Sequence, residues 1–256
     1  MSIITNEYFK EYRRKLGFNN QNDLKVFFAG KNITPNIDYD YIDQFNIRLT
    51  EILTKINDTV VNRNPDISEF CNRNIDTIYT RLREADIIPR LNNQGRRPEE
   101  VYYSWMRGFV ISNYFLGSLG QIFGAEISNI RLIGDDDIQN IDNFKRTPKA
   151  DVEIALPTGE SIRIEIQSGF QGINDIKQHK VLEARRIKSE QNISTFVIHF
   201  DLFNGQAAFV KADDIEENNI NWITRQQMEG QTVFNIDQNY FIWKLTEQPP
   251  TYEQII

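Results

Sequence analysis

A regular alternation of apolar and polar residues between positions 151 and 167 constrains the fold more than any other feature of the sequence. Two segments, 151–156 and 162–167, carry an apolar side chain at every second position and are separated by a turn at 157–160. Because successive side chains of a strand point to opposite faces, this pattern predicts a β-hairpin with one buried face. The other face carries the polar residues Asp151, Glu153, Glu165 and Gln167. Carboxylates placed opposite one another repel, so this face is either solvated or holds a cation.

The bulk composition is that of a globular chain with one sizeable α/β core. The chain has 256 residues, of which 40% are hydrophobic and 25% charged. No apolar run reaches the about 18–20 residues of a membrane span, and the N-terminus lacks a signal-peptide pattern. We therefore expect a cytoplasmic protein with no membrane association. Cys71 is the single cysteine and His179 and His199 are the two histidines, which argues against a disulfide or a zinc site.

The net charge argues against a protein that coats nucleic acid. It is −7 at pH 7, whereas such proteins are basic overall. The charge leaves room for an enzyme that acts on nucleic acid, because such an enzyme can concentrate its cations in one cleft and hold a metal with its acids.

The order of predicted elements indicates a helical region followed by a mixed sheet. We expect residues 1–92 to form a helical N-terminal region and residues 93–256 to form the core, with the boundary in the polar loop at 92–98. The core reads as helix, strand, strand, helix, strand, strand, which predicts an α/β (α+β) fold with a mixed central sheet flanked by helices. The predicted elements are helices near 6–16, 40–57, 66–72, 74–86, 99–124 and 173–190, and strands in 150–167, 194–203, 206–212 and 239–245.

The acidic face of the hairpin is a candidate metal site. With a turn at 157–160, Asp151 lies opposite either Glu165 or Gln167. Mg²⁺ needs only one or two carboxylates besides water, and the backbone carbonyl of Ile166 could add an oxygen. The alternative is a ribbon with a solvated face, on which Arg163 balances Glu165. A run of acids at 135–137 is more typical of a solvated loop.

The helix that follows the hairpin carries a lysine in an unusual place. Ile173, Ile176, Ala184 and Ile187 fall on one side of the predicted helix, and Lys180 lies near the middle of that side. Either its stem covers apolar surface while the ammonium reaches water, or the ammonium points into the acidic site.

These residues together resemble the PD-(D/E)XK nuclease core. That motif is an aspartate followed by (Asp/Glu)-X-Lys on adjacent antiparallel strands, and here Asp151 is followed by Glu165-Ile166-Gln167. The resemblance covers about 99–212. The length of the chain, its single core and its helical N-terminal region look most like those of a type II restriction endonuclease. The chain departs from the pattern in two ways: Pro148 lies three places upstream of the aspartate, and Gln167 occupies the lysine position.

The resemblance implies Mg²⁺-dependent hydrolysis of phosphodiester bonds in double-stranded DNA by a homodimer. Asp151, Glu165 and the Ile166 carbonyl would hold the metal, and Gln167 would orient the attacking water without acting as a base. Lys180 is the candidate substitute for the missing lysine; the alternative is a second metal-bound water. Glu100, in preference to Glu99, would hold a metal water or a second ion, although a glutamate at a helix N-terminus also simply complements the dipole.

Two groups of surface cations are candidates for phosphate contacts. Arg96 and Arg97, in the loop before the long helix, suit such contacts. Arg185, Arg186 and Lys188 on the later helix are a second group, although a solvated helix face is the more common interpretation of these three.

Rival interpretations are a repair or phage DNA-processing nuclease of the same fold, a non-catalytic DNA-binding protein that keeps the scaffold, and a helical interaction protein with an incidental solvated hairpin.

Overall fold

The computed structural model describes residues 4–30, 32–91, 96–133, 150–226 and 230–255. The acidic run at 135–137 and Pro148 lie outside these ranges. Within them, the helices are α1 (Asn6–Lys15), α2 (Gln21–Phe28), α3 (Tyr39–Thr59), α4 (Ile67–Cys71), α5 (Thr77–Glu84), α6 (Pro98–Phe123) and α7 (Gln178–Gln191). The strands are β1 (Ile130–Leu132), β2 (Val152–Ala155), β3 (Ser161–Gly169), β4 (Asp175–Lys177), β5 (Ser194–Asp201), β6 (Gln206–Lys211), β7 (Trp222–Arg225), β8 (Gln231–Asn235) and β9 (Phe241–Lys244).

Helix α6 is the central helix of the molecule, and its ends follow from its sequence. Pro98 stands in its first turn, where a missing N–H costs nothing, and Gly124 ends it in a left-handed conformation with φ of 59°. Helix α3 packs against it through polar as well as apolar contacts: the Tyr102 hydroxyl donates to Asn46 Oδ1 at 2.7 Å. None of the described helices is long and apolar enough to cross a membrane.

A single six-stranded sheet carries the predicted hairpins. Its strand order is β1-β2-β3-β5-β6-β9, in which β3 and β5 run parallel and the other neighbours antiparallel. The turn between β5 and β6 has four residues, since Asp201 pairs with Gln206, and it ends at Gly205, whose φ of 69° favours glycine. The fold class predicted from the sequence, a mixed sheet flanked by helices after a helical region, is confirmed.

The two faces of this sheet are covered by different helices. The face with Ile164 and Phe196 belongs to the larger core, in which Phe115 of α6 stacks on Phe200 with ring centroids 4.1 Å apart. Residues of α3 and α5 share this core, and the boundary at residue 92 stays a prediction. The opposite face packs against α7 through a smaller core, whose buried residues include Val181, Ala184, Val197, Ala208 and Val210.

Two sequence predictions about helices were wrong. The helix expected at 173–190 begins at Gln178, because Asp175–Lys177 forms β4 of a second sheet with order β4-β8-β7; Ile173 is consequently exposed and Ile176 is buried from a strand. The helices expected at 66–72 and 74–86 are not separate, because a π-helical turn at Asn72–Asp76 joins α4 to α5.

Candidate active site

Asp151 lies where the β2–β3 ladder ends, next to the part of β3 that carries Glu165. The last pair of the register is Val152 with Ile164, and the N–H of Asp151 also donates to the Ile164 carbonyl. Asp151 and Val152 therefore both face Ile164, as in a β-bulge. The register pairs Asp151 with neither Glu165 nor Gln167, the two partners that the sequence left open.

Two hydrogen bonds to β3 hold Asp151 at the end of the β2–β3 ladder. Its backbone N–H donates to the Ile164 carbonyl at 3.0 Å, and its Oδ2 accepts the N–H of Ile166 at 2.6 Å. The carboxylate therefore replaces a backbone carbonyl as the acceptor for Ile166. Because the N–H and C=O of one residue point to the same side of a strand, the Ile166 carbonyl faces the same edge as Asp151.

Glu165 forms a two-point ion pair with Lys180 of α7. Lys180 Nζ lies 2.8 Å from Oε1 and 2.9 Å from Oε2 of Glu165, and the side chains are 19% and 11% exposed. The alternative in which Arg163 balances Glu165 does not describe this structure. Arg163 Nε lies instead 3.1 Å from Glu153 Oε2, and Arg131 lies 2.7 Å from the other oxygen of Glu153.

An open cleft of about 480 Å³ lies beside this pair at the carboxyl end of β3. Gln167 lines it, and its partner in the parallel β3–β5 register is His199. The structure therefore brings Glu165, Gln167 and Lys180 to one cleft. The lining residues are Ser104, Arg107, Gly108, Glu165, Gln167, Ser168, Phe170, Ile173, Asp175, Lys177, His179, Lys180 and His199.

Glu100 is not brought into this cleft. It lies exposed in the first turn of α6, and the contribution of α6 to the cleft lining begins one turn later, at Ser104. The neighbouring Glu99 is buried, with 1% exposure, and accepts the Asp38 N–H at 2.8 Å and an Arg97 N–H at 3.1 Å. Burial raises the pKa of Glu99, but these hydrogen bonds outweigh it and leave the pKa below its ordinary value. Glu99 thus ties α6 to the start of α3.

His199 is a residue of the cleft that the sequence analysis did not select. It is 3% exposed, and its Nε2 lies 2.8 Å from Asn174 Oδ1. Burial lowers the pKa of His199 to about 4, so the ring is neutral at neutral pH. A Cβ added at Gly169 would come within 2.8 Å of His199 Nε2, which requires a glycine there. The sequence feature that could have pointed to His199 is a histidine in an otherwise apolar predicted strand. In the structure it lies beside Gln167 in the β3–β5 register.

The oxygen donors at Asp151 and Glu165 suit a hard divalent cation that keeps part of its water. Among the described residues, no group of three or more His, Cys, Asp or Glu side chains could hold a metal ion. Mg²⁺ uses one or two carboxylates, so Asp151, Glu165 and the Ile166 carbonyl are the oxygen donors that would hold it. The Lys180 ammonium lies against both oxygens of Glu165, so a metal ion at Glu165 would share that carboxylate with Lys180.

Several cations expected to contact phosphate are instead paired with acids. Arg97 contacts Glu99 and lies over the ring of Tyr41. Arg185 contacts Glu217 and the carbonyl of Ile215, and Arg186 contacts Glu183 and Glu190. These three arginines are therefore neutralised on the surface and do not line the cleft beside Gln167.

Comparisons with known proteins give matches among solved structures alone. No protein-family model matches the chain, and no curated protein sequence matches it. Among solved structures, the chain is similar to Hjc, a Holliday junction resolvase from the archaeal hyperthermophile Archaeoglobus fulgidus, with 11% identity and a TM-score of 0.31 over 50% of this chain and 87% of that one. The function proposed for this chain therefore rests on its own residues and their arrangement.

Proposed function

We propose that this chain is a Mg²⁺-dependent endonuclease that hydrolyses phosphodiester bonds in double-stranded DNA, with a PD-(D/E)XK site in which Gln167 takes the lysine position. One observation carries the proposal: the Asp151 carboxylate accepts the N–H of Ile166, the residue after Glu165 on β3, and Lys180 of the following helix reaches Glu165 at 2.8 Å. The Glu165 and Lys180 side chains lie beside an open cleft, where a DNA backbone can approach them.

Each residue has a distinct role in this proposal. Asp151, Glu165 and the Ile166 carbonyl would hold Mg²⁺, which when bound supplies Lewis acidity next to the scissile phosphate. Gln167 orients the attacking water through its amide, and it cannot accept a proton as a base. Lys180 fixes the Glu165 carboxylate and offers its ammonium to negative charge that develops on the phosphate.

The more specific part of the proposal is a type II restriction endonuclease that acts as a homodimer. A duplex site with two-fold symmetry, cut on both strands, matches a protein with the same symmetry. The supporting features are the resemblance of the motif and the helical region before the core. Sedimentation analysis of the protein with and without DNA measures this directly, and a monomer in both samples would contradict it.

The test of activity is digestion of a defined plasmid in Mg²⁺ by wild type, Glu165→Gln and Asp151→Asn. We expect discrete fragments with wild type and none with either variant. Asparagine and glutamine retain the size and an acceptor oxygen, and thermal unfolding of each variant separates the lost charge from a loss of stability at the Lys180–Glu165 pair. A smear of fragments that both variants abolish would keep the nuclease and reject the restriction enzyme.

A non-catalytic DNA-binding protein is the second candidate, and Gln167 in the lysine position favours it. In that case the cleft binds a duplex, and neither Mg²⁺ nor Mn²⁺ produces a nick. Replacement of Gln167 by lysine discriminates the two candidates further. An active enzyme is expected to cut DNA both before and after Gln167→Lys. A protein that lacks the metal site is expected to cut DNA in neither form.

A further inference from the structure

The acids that line the cleft are already neutralised by cations. Glu165 is paired with Lys180 at 2.8 Å. Asp175 is 3% exposed at its side chain and receives two hydrogen bonds from Arg225, at 2.8 and 3.1 Å. Asn235 donates a third at 2.9 Å. Any further cation in the lining therefore contributes positive charge that these carboxylates do not cancel.

Arg107 is one such cation, and aromatic rings hold it. Its guanidinium carbon lies 4.1 Å from the ring centroid of Phe170 and 5.5 Å from that of Tyr103. Within the described parts of the chain, no carboxylate lies within ion-pair distance of it. Stacking on ring faces fixes the plane of the guanidinium and leaves its edge N–H groups for an acceptor.

Lys177 is the second such cation in the lining of the cleft. It ends β4 and directly precedes α7, and its side chain is exposed. Among the described residues, no carboxylate forms an ion pair with Lys177. A Cβ built at Gly108, next to Arg107, meets nothing within 4 Å, so the space beside Arg107 is open. A chain with net charge −7 thus has an excess of positive charge in this cleft.

We propose that Arg107 and Lys177 form a binding site for backbone phosphates of DNA, next to the group formed by Glu165, Gln167 and Lys180. This inference rests on the proposed function and names residues that the sequence motif does not include. Arg107 is the principal contact, because a guanidinium edge donates two parallel hydrogen bonds to phosphate oxygens. Lys177 contributes a mobile point charge.

The test is the binding of a short fluorescein-labelled duplex in Ca²⁺, followed by anisotropy over a series of salt concentrations. The slope of log K against log salt is negative, and each lost phosphate contact lowers its magnitude by about one. We therefore expect Arg107→Gln and Lys177→Gln each to lower this magnitude by about one and the double variant by about two. Arg107→Gln is also expected to weaken binding about tenfold, since a charge-assisted contact is lost.

Two further variants make the result specific. Arg107→Lys keeps the charge and loses the paired geometry, so it is expected to retain the slope and bind about threefold more weakly. Arg48→Gln is the control, because Arg48 is an exposed cation on α3 that is paired with Glu51 at 2.8 Å; it should leave slope and affinity unchanged. Thermal unfolding of each variant confirms that it is folded.

The outcomes separate this inference from the nuclease proposal. A salt slope of lower magnitude in both Arg107→Gln and Lys177→Gln supports the phosphate site, whether or not wild type cuts DNA. An unchanged slope in both overturns it, even when wild type cuts DNA and Glu165→Gln does not. A wild type that fails to bind the duplex overturns it as well.

Discussion

Lys180 Nζ lies within 2.8 Å of Glu165 Oε1 and 2.9 Å of Oε2, so a lysine of α7 and a glutamate of β3 share one charge-neutral contact at the edge of the cleft. Both side chains are largely withdrawn from water. Each therefore depends on the other, because a partly buried charge that loses its partner keeps its desolvation cost.

This dependence predicts a coupled effect on stability. Lys180→Met is expected to lower the free energy of unfolding by about 1–3 kcal/mol, since it leaves the Glu165 carboxylate without this cation. Glu165→Gln in the same background should recover part of the loss. Urea denaturation of both single variants and the double variant measures the coupling, and strictly additive losses would contradict a direct interaction.

The adjacent glutamates at the start of α6 are expected to behave differently. Glu99→Gln should lower the free energy of unfolding by about 1–3 kcal/mol, because the buried carboxylate accepts hydrogen bonds from Asp38 and Arg97. Glu100→Gln, on the exposed side of the same turn, should change it by less than about 0.5 kcal/mol. Equal losses in urea denaturation would show that Glu99 does not tie α6 to α3.

The buried ring of His199 is expected to make the folded protein less stable in mild acid. Burial lowers its pKa to about 4 from 6.5, although Asp201 and Asp175 oppose the shift. Between these values the unfolded chain binds a proton that the folded chain does not, so stability is complete above about pH 6.5 and falls as the pH decreases toward about 4. The total loss from this residue is about 3 kcal/mol.

Two variants isolate this contribution. His199→Gln should flatten the pH dependence of the free energy of unfolding over that range. His179→Gln, at an exposed histidine of α7, should change it far less. Parallel curves for wild type and His199→Gln would show that the pKa of His199 is the same in the folded and unfolded chains.

Gly108 lines the cleft and Gly169 ends β3 beside it. Alanine substitutions at these two glycines are expected to change the stability in opposite directions. An alanine Cβ at Gly108 meets nothing within 4 Å, so Gly108→Ala should stabilise the helix by about 0.5–1 kcal/mol. An alanine Cβ at Gly169 would lie 2.8 Å from His199 Nε2, so Gly169→Ala should destabilise the protein by about 1–3 kcal/mol. Thermal unfolding compares the two, and a neutral Gly169→Ala would mean that the ring of His199 shifts freely.

The parts of the site that the sequence predicted are those governed by local periodicity. Alternation in 151–167 predicted that Asp151 and Glu165 share one face. Of the two interpretations of Lys180, the one in which its ammonium points into the acidic site agrees with its contact with Glu165. The start of α7 was missed because it depends on distant residues: Asp175 is bound by Arg225 and Asn235, which are 50 and 60 positions further along the chain. His199 and Arg107 were missed for the same reason, since the cleft they line forms only when α6, β3 and β5 come together.

The central claim is that Asp151 and Glu165 together hold the divalent cation on which DNA hydrolysis depends. Titration with Mn²⁺, followed by the electron paramagnetic resonance of the free ion, tests it without reference to activity. We predict that wild type binds Mn²⁺, that Asp151→Asn and Glu165→Gln each weaken this binding by at least about tenfold, and that Glu100→Gln leaves it unchanged. Equal Mn²⁺ binding by wild type, Asp151→Asn and Glu165→Gln would contradict the claim.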